Sequence, residues 1–189
     1  SLLVYKHGSD VVYLLLYVDD IILTASSTRL LDRIITTLQH EFSMKDLGEL
    51  HYFLGMQVQH RGDGLFLSQQ QYKVDILDRA HMANCKPCST PVDMNPKVSA
   101  ADGAPVANVS EVRSLADALQ YLTFTRPDIA YAVQQVCLHM HDPREPHLQA
   151  LKRILRYVKG TLHLGVMLRP SSSTDLAVYT DVNGAGCPN

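Results

Sequence analysis

Tryptophan is absent from this chain of 189 residues, and no apolar run is long enough to span a bilayer. The longest candidate, residues 11–25, is cut by two aspartates. Nothing at the N-terminus resembles a secretory signal, and four cysteines are too few for a disulfide scaffold. Both features predict a reducing, intracellular setting and no membrane partner. Charge of one sign is also scarce: the formal net charge is −2 and the isoelectric point about 6.5. Nucleic-acid binding would therefore need a local basic patch rather than a globally basic chain. There is no glycine-rich phosphate loop, no HExxH pattern, and no serine or cysteine set as an obvious nucleophile. Hydrophobic content of 46% and charged content of 19% describe an ordinary globular chain of one or two domains.

Within that background stands Tyr17-Val18-Asp19-Asp20, two adjacent carboxylates between apolar segments rich in β-branched and aromatic residues. The flanks read as strands over residues 11–17 and 20–25, short enough to be buried on both faces. Ionised carboxylates are costly to bury unless paired or bound to a cation. The pair is therefore placed where the strands reverse. Two readings fit: a polar turn, or a cradle for a hard divalent cation.

Residues 2–5 form a further strand, with Gly8-Ser9-Asp10 as the connecting turn. Ser26-Ser27-Thr28 offers helix caps, and Leu30, Leu31, Ile34, Ile35, Leu38 and Phe42 lie on one helical stripe that covers the sheet. A strand then runs through residues 52–58, and Arg61-Gly62-Asp63-Gly64 turns it back into residues 65–67. Ser68 with Gln71 has capping-box spacing and opens a helix with Tyr72, Ile76, Leu77 and Ala80 inward. Residues 84–110 hold four prolines and predict a loop at a subdomain boundary.

Beyond it the chain reads as helical. Val112, Leu115, Ala116, Leu119 and Leu122 form one stripe; Ile129, Val133, Val136, Cys137 and Met140 form the next after a restart at Thr125-Arg126-Pro127-Asp128. A last helix carries Leu148, Leu151, Ile154, Leu155 and Val158 inward and stops at Gly160. Strands are expected over residues 162–168 and 176–180, the second delivering Asp181.

Between Arg144 and Arg169 six basic residues face the single acid Glu145. Lys152, Arg156 and Lys159 share one outward helical face, with Arg153 beside them. That asymmetry fits phosphate-backbone contact, or simply a solvated face. Cys85-Lys86-Pro87-Cys88 has knuckle spacing without a second pair, so it reads as loop cysteines. His139 and His141 are expected to interact with a helix end.

Tyr17-Val18-Asp19-Asp20 resembles the catalytic hairpin of reverse transcriptases. Further stretches are similar, in order, to the copia-type retrotransposon branch: residues 42–48 (Phe42 to Gly48), Tyr52-Phe53-Leu54-Gly55-Met56, residues 115–121, residues 125–133 and residues 152–161. The resemblance implies an α+β fold: a small antiparallel palm sheet with a covering helix, a hairpin, a mainly helical thumb/connection, and an incomplete RNase H-like sheet. It implies the C-terminal palm with its hairpins over residues 1–67, thumb and connection over 68–165, and the start of RNase H over 166–189. Asp19 and Asp20 would be catalytic metal ligands for Mg²⁺, or Mn²⁺, and Asp181 the first RNase H metal ligand. Tyr17, Val18, Phe53, Leu54 and Gly55 would contact a template-primer of RNA or DNA, the last three as a primer-gripping element, joined by Lys152, Arg153, Arg156 and Lys159. The setting by family is cytoplasm or nucleus.

Departures accompany the matches. The third polymerase carboxylate and the fingers precede the matched region in this family, so the chain alone is expected to be inactive. Residues 181–186 have Gly184 where the family has Trp, Asp117 replaces a usual Gly and Val112 a usual Tyr. A domesticated nucleic-acid- or protein-binding remnant is the alternative. A truncated palm would also expose apolar strands, predicting self-association or a covering partner.

Overall fold

The computed structural model describes residues 1–93 and 102–171. It is a mixed α+β structure with two small antiparallel sheets and five α-helices among the described residues. The expected strand over residues 176–180 and Asp181 lie outside those residues. Two compact units divide after Leu50. No described helix is long and apolar enough to cross a membrane.

The first unit is a meander of β1 (Leu2–His7), β2 (Asp10–Tyr17) and β3 (Asp20–Ala25), followed by α1 (Thr28–Glu41). Leu3 pairs with Leu14 and Tyr17 with Asp20. Of the three cap candidates Ser27 does the work, its hydroxyl accepting the Leu30 N–H. α1 packs on β3 and buries Leu30, while Val12 is the buried residue of β2. The expectation of strands buried on both faces fails here. A single helix covers the sheet and β1 is an edge, so Leu2, Leu3, Val4 and Tyr5 remain at least half exposed. Phe42 also leaves its expected place in the stripe. The helix ends before it, and its extended backbone turns the ring outward while its N–H caps the Leu38 carbonyl.

In the second unit, β4 (Tyr52–Phe53), β5 (Met56–Arg61), β6 (Gly64–Ser68) and β7 (Val166–Leu168) form one sheet in that order. The continuous strand expected over residues 52–58 is instead broken by a two-residue turn, Leu54-Gly55, with Phe53 paired directly to Met56. Both turn residues have left-handed φ, +48° and +73°. This turn geometry matches the twist of a hairpin. β7 was expected to open a new sheet; it pairs with β6 instead, Leu65 opposite Leu168. Gly64 allows that pairing, because a Cβ there would sit 2.0 Å from the Leu168 carbonyl oxygen.

The helices α2 (Gln70–Arg79), α3 (Val109–Leu122), α4 (Ala130–Cys137, after a 3₁₀ turn at Pro127–Ile129) and α5 (Glu145–Gly160) enclose one core. Every residue expected inward on the α3 stripe is buried. Two local expectations are corrected. Ser68 does not cap α2, because it ends β6 opposite Gln57; Gln69 holds the cap position and its side chain accepts the Thr125 hydroxyl instead. α5 ends at Gly160 as expected, but Gly160 is its last residue rather than the one beyond it, and its lack of Cβ admits Pro87, because a Cβ here would sit 3.1 Å from that of Pro87. His139, just past the end of α4, stacks on His147 with centroids 4.1 Å apart. The proline-rich segment, where described, does not separate two bodies. Its Cys88 N–H reaches the Arg156 carbonyl and Val106 is buried in the same core as α2 and α5.

Beneath the helices lies a polar network. Arg126, 1% exposed, grips Asp128 through Nε and Nη2 at 2.8 and 2.7 Å and donates to the carbonyl and hydroxyl of Thr161. Tyr157 adds a hydrogen bond to Asp128 at 2.9 Å. Burial acts to raise the Asp128 carboxyl, but the bonds from Arg126 and Tyr157 hold it below its ordinary value. Fully buried Lys73 donates to the Leu162 and Leu164 carbonyls. These contacts fix residues 161–164 and so deliver β7 to β6.

Burial, with the Arg126 charge second, lowers the Lys73 amine from 10.5 to about 8. Below about 8 folded and unfolded chains both carry this proton. Between there and 10.5 the unfolded chain holds a proton the folded chain has released, so stability rises with pH. The expected gain from this group is roughly 1.4 kcal/mol per pH unit within that window. Urea unfolding of wild type and Lys73→Met should show the difference moving in favour of wild type between neutral and alkaline pH; a pH-independent difference would contradict it.

Candidate metal-binding hairpin and nucleic-acid interface

The β2–β3 ladder closes on Tyr17 opposite Asp20, leaving Val18 and Asp19 as a two-residue turn. Val18 holds φ +49°, a left-handed conformation that a β-branched side chain adopts only at a cost. Tyr17 is 52% and Val18 87% exposed. Asp19 and Asp20 are exposed as well, so the carboxylates do reach solvent as their desolvation cost requires. Among the described residues no hydrogen bond or ion pair engages either carboxylate, and no cluster of three acidic, histidine or cysteine side chains forms around them. Two neighbouring, unneutralised oxygen donors fit part of the shell of Mg²⁺ or Mn²⁺. Mg²⁺ is commonly held by one or two carboxylates with water and phosphate completing the octahedron.

The second cluster centres on the Leu54-Gly55 turn. Phe53 is buried and anchors the hairpin, while the turn itself is tied to α3 by the Tyr121 hydroxyl, which donates to the Leu54 carbonyl. Tyr121 meets Tyr72 and Phe124 edge-on, at 5.3 and 5.8 Å between centroids. Phe124 and Tyr52 are about 70% exposed beside it, and Phe124 is an aromatic surface that neither the expected stripes nor the family-like stretches include. Its only sequence signal is that it belongs to no inward stripe.

On α5 the four predicted basic residues divide. Lys152 is exposed and Lys159 half-buried, and neither has an acid partner among the described residues. Arg153 is turned to the 86–93 segment, bonded to Asp93 at 3.2 Å and to the Thr90 hydroxyl at 2.9 Å. Arg156 donates through Nε to the Lys86 carbonyl at 2.8 Å. Elsewhere in the basic run, Arg144 pairs with Asp142 and Arg169 with Asp63. Three of the six basic residues thus have acids that lie outside the run. In Cys85-Lys86-Pro87-Cys88, the Cys88 thiol donates to the carbonyls of Thr90 and Arg153.

Residues 1–94 match the family model described as reverse transcriptase (RNA-dependent DNA polymerase). Over 98% of its length the chain is 45% identical to the Retrovirus-related Pol polyprotein from transposon RE1 of Arabidopsis thaliana, of which it covers 13%. Over 93% of its length it is 50% identical to the uncharacterized mitochondrial protein AtMg00810 of the same plant, covering 72% of that protein. The chain belongs to the copia-type retrotransposon reverse transcriptases. A corresponding polyprotein from transposon TNT 1-94 of Nicotiana tabacum is 33% identical, with 14% of its length covered. No solved structure matches. This reverse transcriptase segment therefore spans roughly an eighth of the transposon polyproteins it resembles.

Proposed function

We propose that this segment contributes two of the polymerase metal ligands, Asp19 and Asp20, together with part of the template-primer grip, to a larger reverse transcriptase. The observation that carries the reading is the pair of exposed, unneutralised carboxylates on a strained hairpin tip, in a chain of this family. In that reading the β1–β3 sheet and α1 are palm. The Leu54-Gly55 hairpin grips the primer, helices α2 to α5 are thumb and connection, and the chain enters RNase H near Asp181. Bound Mg²⁺ or Mn²⁺ would supply charge stabilisation at the phosphate and ease ionisation of the primer hydroxyl. The chain's own part is positional. Asp19 and Asp20 place negative oxygens at the hairpin tip, and Tyr17 and Val18 present an apolar surface beside it for a base pair or sugar.

Two adjacent carboxylates cannot hold two ions by themselves, so activity requires a further carboxylate supplied from elsewhere in the polyprotein. Primer extension with template, Mg²⁺ and dNTPs should give no product with this chain alone. It should give product when the preceding part of a transposon polyprotein is fused to it, and lose that product on Asp19→Asn. Extension by the chain alone, abolished by Asp19→Asn, would contradict the missing-ligand account.

A second reading is a remnant that acts by contact with a protein or with its own copy. It is favoured by the open apolar edge strand β1, whose residues are all exposed. Concentration-dependent mass by light scattering is its expected sign; a monomer at every concentration would remove it.

A further inference from the structure

We propose that Lys86, not Arg153, completes the phosphate-binding face of α5, and that the Cys85–Cys88 segment exists in its present course to bring it there. The inference rests on the nucleic-acid reading above and changes which residues make the contact.

On α5, Lys152, Arg156 and Lys159 follow one another at spacings of four and three and so share a face. Residues 85–88 run beside that face, against Arg153, Arg156 and Gly160, and meet it at Arg156; four contacts that involve no lysine side chain hold them. Cys85 N–H reaches the Met82 carbonyl at 3.1 Å, and Cys88 N–H reaches the Arg156 carbonyl at 3.4 Å. The Cys88 thiol donates to the Arg153 carbonyl, and Pro87 lies against Gly160, where any side chain would crowd it. Because Arg156 Nε donates to the Lys86 carbonyl, the Lys86 backbone is fixed within one residue's reach of the Arg156 guanidinium. The Lys86 side chain is exposed and has no acid partner among the described residues.

Arg153 has the opposite fate. Its guanidinium is tied to Asp93 and to the Thr90 hydroxyl, so it brings its own counter-charge and offers a polyanion no net attraction. The bond it makes clamps the 88–93 segment to α5. The cation set available to a nucleic-acid backbone is therefore Lys86, Lys152, Arg156 and Lys159. The terminal nitrogens of Arg156 are free of other partners among the described residues and suit a phosphate fork.

Salt titration of binding to a short RNA–DNA duplex tests the assignment, with circular dichroism as the folding control. Each lost phosphate contact should lower the slope of log K against log salt by about 0.9. Lys86→Ala should weaken binding and lower the slope by one such step, as Lys152→Ala does. The charge-neutral double variant Arg153→Gln/Asp93→Asn should leave the slope unchanged. A Lys86→Ala slope equal to wild type, with Lys152→Ala reduced, would overturn the role of Lys86 while sparing the α5 face. A one-step loss in the Arg153→Gln/Asp93→Asn variant would restore Arg153 to the interface and overturn the proposal. Absence of salt-dependent binding by the wild-type chain would overturn both the proposal and the nucleic-acid reading beneath it.

Discussion

Burying two cations beneath the helical core is the constraint on which the larger unit depends. Arg126 and Lys73 are almost fully enclosed, and a buried charge is tolerated only if its donors are occupied. Their acceptors are few and specific. Asp128 and Tyr157 complete a tight cluster with Arg126, while both cations share the backbone of residues 161–164. Removing one partner of such a set costs about 3–5 kcal/mol, because the other charge is left stranded. The same bonds give the chain after α5 a single path. That path brings β7 to the open side of β6 and so makes a four-stranded sheet from the β4–β5–β6 meander and a distant strand.

Helices were legible in the sequence because their apolar residues recur at helical spacing, and the stripes of α3, α4 and α5 became the core. The β2–β3 hairpin was legible for another reason: two carboxylates in an apolar run can only sit at a solvent-facing reversal. The Leu54-Gly55 turn was hidden because residues 52–58 read as one apolar strand and Leu is a poor marker of left-handed φ. Ser68 had a good capping pattern, but strand pairing with Gln57 claimed it first. The burial of Lys73 and the pairing of β7 both depend on partners some ninety to a hundred residues away, beyond any local pattern.

The basic face shows the same limit in its functional form. A run with one acid looks strongly positive when counted along the chain. Asp63 and Asp93 approach Arg169 and Arg153 only in the fold, and local charge is a property of the folded surface. A nearby segment can neutralise a cation on a helix, as Asp93 does for Arg153.

The segment belongs to the reverse transcriptases, and the proposed function gives each of its two units a separate part. In that proposal the first unit offers the Asp19 and Asp20 carboxylates, and the second offers the Leu54-Gly55 hairpin and the cations on and beside α5. The most direct test of the central claim is nuclear magnetic resonance of the isolated chain during Mn²⁺ addition. The account predicts weak, selective broadening of the Val18, Asp19 and Asp20 amide signals, abolished by the double substitution Asp19→Asn/Asp20→Asn. Broadening that survives the double substitution, or none at the hairpin, would contradict it.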